Sequence, residues 1–150
     1  MSGCMLDTNV LSELRKAQRC DAGVRQWFEE TAEEELFISV LVLGEIRQGI
    51  ERIRLRDPAQ ARALEKWLLR IATEFADRLL PVDEKVADQW GRLGLQQPIP
   101  ILDAFLAATA LVHGLTLVSR DEEGFRHTGV AVVNPFSKSP TGGGQAGRMP

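Results

Sequence analysis

The chain has 150 residues, a formal net charge of −3 and a charged fraction of 26%, the make-up of one ordinary globular domain with one core. That balance excludes a whole-surface basic field of the kind that gathers nucleic acid indiscriminately. It leaves open an enzyme of nucleic acids whose own acids are metal ligands, because bound cations invert the local field.

Taken in chain order, residues 1–4 read as a flexible lead, and Met5-Leu6 as a brief strand ending at Asp7. Asn9 is expected to cap a helix that shows Val10, Leu11 and Leu14 on one face. Asp21 begins a second helix with Val24, Trp27 and Phe28 at helical spacing, and Glu33-Glu34-Glu35 reads as a solvated turn. Leu36-Phe37-Ile38 is a short buried strand, and Ser39 caps a helix carrying Val40 to Ile53. Asp57-Pro58 pairs a cap with a proline at the first helical position. The helix begun there repeats Ala61, Leu64, Leu68, Ile71 and Phe75 every three or four residues, with Trp67 alongside, so its stripe faces inward.

Leu79 to Val82 reads as a third strand, and Asp83 caps the next helix. Gln96 to Pro100 is a proline-bearing loop. Asp103 to His113 is an almost wholly apolar helix stopped by Gly114. Leu115 to Val118 is a strand, Asp121 to Phe125 a turn or short helix, and Val130 to Val133 a last strand. Strands alternating with helices predict an α/β domain with a mostly parallel sheet of about five short strands and right-handed crossovers. The Gly-, Ser- and Pro-rich stretch 137–150 is expected to be a disordered tail.

The two cysteines, Cys4 and Cys20, form no C-x-x-C pair and no disulfide framework, so a reducing cytoplasm is the simplest setting. No apolar run reaches the roughly 18 residues of a membrane span. The N-terminus shows no basic segment followed by an apolar one, so no signal peptide is expected.

The informative residues are carboxylates at the ends of elements. Asp7 closes the first strand, Glu45 lies in the apolar stretch 40–46, Asp103 opens the apolar helix, and Asp121 follows the strand 115–118. In an open parallel sheet, ligands gather beyond the carboxyl ends of the strands. Acids converging there repel by about 3 kcal/mol per ionised pair at about 5 Å and an effective dielectric near 20. Such a cluster needs protons or cations, and hard oxygen donors with room for water suit Mg²⁺ or Mn²⁺. Singly, each acid has a plain alternative: a helix cap for Asp103, a turn for Asp121, a solvated helix face for Glu45.

Met5-Leu6-Asp7-Thr8-Asn9-Val10-Leu11-Ser12-Glu13 resembles the opening motif of PIN-domain toxins of the VapC and FitB type. So do Ile38-Ser39-Val40 with Leu43-Gly44-Glu45-Ile46-Arg47-Gln48-Gly49, and the block from Pro100 to Ala110. Leu117-Val118-Ser119-Arg120-Asp121 and Val133-Asn134-Pro135-Phe136 resemble the closing motifs. The blocks occur in order, which makes 5–136 one PIN domain. The resemblance implies a PIN-like three-layer sandwich and an endoribonuclease dependent on one or two Mg²⁺ or Mn²⁺ ions. Its chemistry would be attack on the RNA phosphodiester by a water that the carboxylate-held metal activates. By position the metal-holding and catalytic set is Asp7, Glu45, Asp103 and Asp121, with Thr8, Asn9 and Ser119 as polar support beside it.

The resemblance also implies a toxin–antitoxin module, a homodimer, and an antitoxin of the VapB or FitA type whose C-terminal segment covers the acids, with an arginine among them. Two positions depart from the pattern. Ser119 stands where many relatives have threonine, and Gly124 stands before Phe125 where many carry a second acid. RNA approaching an acidic pocket calls for a basic rim, for which Arg47 and Arg52 are candidates, while Arg120 could hold Asp121 by a salt bridge. A phosphoacceptor of the haloacid-dehalogenase type needs Asp-x-Asp where this chain has Asp7-Thr8-Asn9. The remaining alternative is a PIN scaffold that binds RNA or protein without catalysis.

Overall fold

The computed structural model describes residues 3–94 and 98–137. Five strands form one sheet in the order β3-β2-β1-β4-β5: β1 (Cys4–Leu6), β2 (Leu36–Ser39), β3 (Leu79–Leu80), β4 (Thr116–Val118) and β5 (Val132–Val133). Every pairing is parallel. Cys4 sits against Leu36 on one side and Thr116 on the other, and Leu117 faces Val132. β1 is central and its Met5 and Leu6 are fully buried, as strands covered on both faces must be.

Among the described residues six α-helices connect and cover the strands: α1 (Thr8–Leu14), α2 (Ala22–Glu29), α3 (Val40–Arg54), α4 (Pro58–Glu74), α5 (Glu84–Arg92) and α6 (Ile101–His113). α3 packs against α4, and α5 against α6. The periodic stripe of α4 turns inward as the sequence predicts, with Ala61, Leu64, Leu68, Ile71 and the adjoining Phe75 buried. Among the described residues no helix is long and apolar enough to cross a membrane.

Most helix starts follow their caps. Asp21, Ser39, Asp57 and Asp83 each accept a backbone N–H of the first turn through a side-chain oxygen. Two boundaries differ from the sequence reading. The first helix begins at Thr8, not after Asn9, because the Asp7 carboxylate accepts the Thr8 N–H at 2.8 Å and takes the capping role. The last helix begins at Ile101, after Pro100, so Asp103 lies within its first turn and does not open it.

The flanks also differ in detail. Cys4, expected in the flexible lead, belongs to β1. Ser137, expected in the disordered tail, donates from its N–H and its hydroxyl to Asp21 Oδ2 at 2.9 and 3.2 Å, and its Oγ accepts the Gly23 N–H. The rest of the expected tail, residues 138–150, residues 1–2 of the lead, and Gln96 and Gln97 of the loop lie outside the described residues.

Because every strand pair is parallel, the carboxyl ends of all five strands lie on the same edge of the sheet. The residues that leave β1, β2 and β4 are therefore gathered at that edge. α6 runs from it back to the start of β4, turning at Gly114 with φ 65°. Its N-terminal turn faces the same edge.

Candidate functional site

Asp7 comes directly after β1 and is 8% exposed. Its Oδ1 accepts the Thr8 N–H and its Oδ2 accepts the Ser119 hydroxyl at 2.8 Å. Ser119 is fully buried just past β4, and its Oγ also accepts the Asp121 N–H at 3.0 Å. Asn9 closes the junction, donating to Ser119 Oγ at 3.3 Å and accepting the Arg120 N–H at 3.2 Å. The ends of β1 and β4 are thus tied by side chains as well as by the Asp7 N–H to Val118 carbonyl bond.

Glu45, in the second turn of α3, reaches the same place: the Thr8 hydroxyl donates to its Oε1 at 2.6 Å. Asp103 enters from the first turn of α6 and is half-buried. Its pKa is pushed up to about 6, first by burial and then by the charges of Asp7, Glu45 and Asp121. The Asp7 pKa is also raised; burial and the Asp121 charge push it up, while the bonds from Ser119 and Thr8 oppose them. The structure therefore places all four acids picked out in the sequence near one edge, with Thr8 bonded to Asp7 and Glu45, Ser119 to Asp7 and the Asp121 N–H, and Asn9 to Ser119.

Asp121 is exposed, and its Oδ1 accepts the Gly124 N–H at 2.9 Å, closing a turn before Phe125. A β-carbon at position 124 would collide with the Asp121 carboxylate. The sequence marks Gly124 as a departure but gives no reason for it. A side chain there would require the Asp121 carboxylate to move.

The donor set is all oxygen, acidic and mutually repelling, which is the chemistry of a hard divalent cation site. Among the described residues no three His, Cys, Asp or Glu side chains already stand together as a metal cage. Asp7 gives both its oxygens, and Glu45 and Asp121 one each, to neighbouring donors. Mg²⁺ retains several waters and commonly takes only one or two carboxylates directly. The residues present fit that mode of binding.

The basic residues divide. Arg47 is committed to Glu51 and Glu65 at 3.0 and 2.6 Å, in a network that Arg54 completes across α3 and α4. Its charge is partly offset there, and it ties α3 to α4 while its side chain stays partly exposed. Arg52 is exposed and has no ion pair among the described residues. Arg120 makes no salt bridge to Asp121; its guanidinium carbon lies 4.4 Å from the centroid of the Phe136 ring.

The PIN domain family model matches residues 4–131. The toxin FitB of Neisseria gonorrhoeae is 32% identical over 137 residues, covering 88% of this chain and 97% of that protein. The VapC ribonuclease Y4jK of Sinorhizobium fredii is 31% identical over 140 residues, covering 88% and 96%. Among solved structures, FitAcB from Neisseria gonorrhoeae superposes with a TM-score of 0.78 at 33% identity, over 88% of this chain and 97% of that one. With a parallel sheet, an acid-lined carboxyl edge and relatives that match along nearly their whole length, the chain belongs to the PIN domain family.

Proposed function

We propose that this chain is a Mg²⁺- or Mn²⁺-dependent endoribonuclease, the toxin of a toxin–antitoxin module, acting as a homodimer and held in check by an antitoxin of the VapB or FitA type. One observation carries the reading: a half-buried Asp103 whose charge is opposed by three other carboxylates at the edge where a parallel sheet takes its ligands. Two relatives, one named a toxin and one a VapC ribonuclease, support the same chemistry and biology.

When bound, the divalent ion would screen the scissile phosphate and lower the pKa of a coordinated water. Asp7 and Asp103 are the residues assigned to hold it directly, with Glu45 and Asp121 directly or through water. Ser119 fixes the rotamer of Asp7 through its hydroxyl, and Thr8 does the same for Glu45. No histidine is among these groups, so the chain's part is to hold negative charge in a set geometry around the reacting phosphate. Of Arg47 and Arg52, it is Arg52, exposed two turns beyond Glu45 on α3, that is the candidate for the RNA backbone.

The test is cleavage of single-stranded RNA by purified wild type, Asp7→Asn, Asp103→Asn and Ser119→Ala, with Mg²⁺ and with EDTA, and then mapping of product ends. Wild type is expected to cut only with the ion. Ser119→Ala should lose about 10–100-fold, and the two Asn variants more. Full activity of either Asn variant removes that residue from the mechanism. Wild type inert with both Mg²⁺ and Mn²⁺ leaves the non-catalytic scaffold.

A further inference from the structure

Beside the acids, Arg120 is held in place and, among the described residues, its guanidinium donates no hydrogen bond. The Arg120 backbone is clamped on both sides: its N–H donates to Asn9 Oδ1 at 3.2 Å, and its carbonyl accepts from Asn134 Nδ2 at 3.5 Å. Its side chain is exposed and lies over Phe136, with the guanidinium carbon 4.4 Å from the ring centroid. Asp121, Glu122 and Glu123 come directly after it in sequence, yet among the described residues Arg120 forms no ion pair. Glu123 pairs instead with Arg126. A cleft of about 490 Å³ opens here, lined in part by Arg120, Asp121, Phe125 and Arg126.

An exposed arginine usually moves freely in water. Here two asparagines hold the main chain and an aromatic ring holds the side chain. A guanidinium held over a ring, as Arg120 is over Phe136, can offer a face for stacking and donors that match a phosphate. Single-stranded nucleic acid is gripped by that combination of base stacking and backbone charge.

We propose that Arg120, backed by Phe136, is a substrate-positioning platform that takes a base and a backbone phosphate of single-stranded RNA next to the carboxylates. The proposal rests on the ribonuclease reading for its substrate but not for its geometry. Asn9 and Asn134 act through it by fixing where the platform stands.

The test has two arms. In the first, steady-state cleavage of a single-stranded oligoribonucleotide in Mg²⁺ is measured over a salt series for wild type, Arg120→Ala, Arg120→Lys and Phe136→Leu. Arg120→Ala should raise KM about 10-fold, a typical loss for one stacked base, with kcat within about twofold. Its salt slope should be shallower by about 0.7, the share of one single-strand phosphate. Arg120→Lys should restore the slope but only part of KM, and Phe136→Leu should raise KM with the slope kept.

In the second arm, each substitution is placed in the Asp103→Asn background and binding of the same labelled oligoribonucleotide is read by fluorescence anisotropy. This arm needs no catalysis, so a wild type that cuts nothing sinks the function while the platform is still measured. Arg120→Ala with unchanged affinity and salt slope overturns the platform. Phe136→Leu with wild-type affinity and a native thermal transition removes the ring from it.

Discussion

Asp103 shows how a single residue can be placed against its own stability. Its carboxyl has a folded pKa of about 6, above an ordinary value of 3.8. Below the lower value the group is neutral in both folded and unfolded chains and costs nothing. Above the higher one it is charged in both, and only the folded chain bears the burial and repulsion. Stability contributed by this residue therefore falls as pH rises from about 3.8 to about 6 and stays low beyond. Metal-free Asp103→Asn is expected to melt above wild type at pH 7.5, with the gap closing toward pH 4 in paired thermal melts. Equal melting temperatures at both pH values would mean that the charge is not under stress. The sequence exposes this acid and its three companions, because each stands within or beside an apolar segment. It does not expose the seat of Asp121, because the contact with Gly124 exists only once the turn has closed.

At the scale of elements, one side chain can join two segments far apart in sequence. Asp21 caps α2 through the Val24 N–H and also receives both donors of Ser137. Asp57 caps α4 through the Gln60 N–H alone. Losing a cap costs about 1 kcal/mol, and the second tie adds about as much again. Asp21→Ala should lower the melting temperature by roughly 2–8 °C, and by more than Asp57→Ala does. An equal effect of the two would show that the Ser137 contacts contribute nothing. Caps and stripes make the elements legible: Asp21, Ser39, Asp57 and Asp83 announce their helices. Where Asp and Asn compete, as at Asp7 and Asn9, the local pattern is ambiguous. Tertiary contacts decide it, since Asn9 is drawn off to Ser119 and Arg120. The role of Arg47 is hidden from the sequence for the same reason, because its partner Glu65 belongs to another helix.

For the whole molecule, alternation of strand and helix is enough to foretell the parallel sheet. Strand order is not readable, because it depends on which strands find neighbours and not on any one stretch. If the acids do hold a cation, the ion binds the folded chain and not the unfolded one. At a hundred times its dissociation constant it should then stabilise the fold by about 2.7 kcal/mol. Mg²⁺ or Mn²⁺ should accordingly raise the wild-type melting temperature by roughly 5–10 °C, and Asp103→Asn should lose most of that gain. A wild type indifferent to both ions would count against the centre. The position of β1 bears on how such a gain would arise. It is laddered on both sides, to β2 and β4, and the Asp7 N–H that follows it is bonded to the Val118 carbonyl of β4. Glu45 and Asp103 ride on helices, and Asp121 on a surface turn. Asp7 is in effect an anvil, and any tightening of the pocket on an arriving ion has to come from the parts around it.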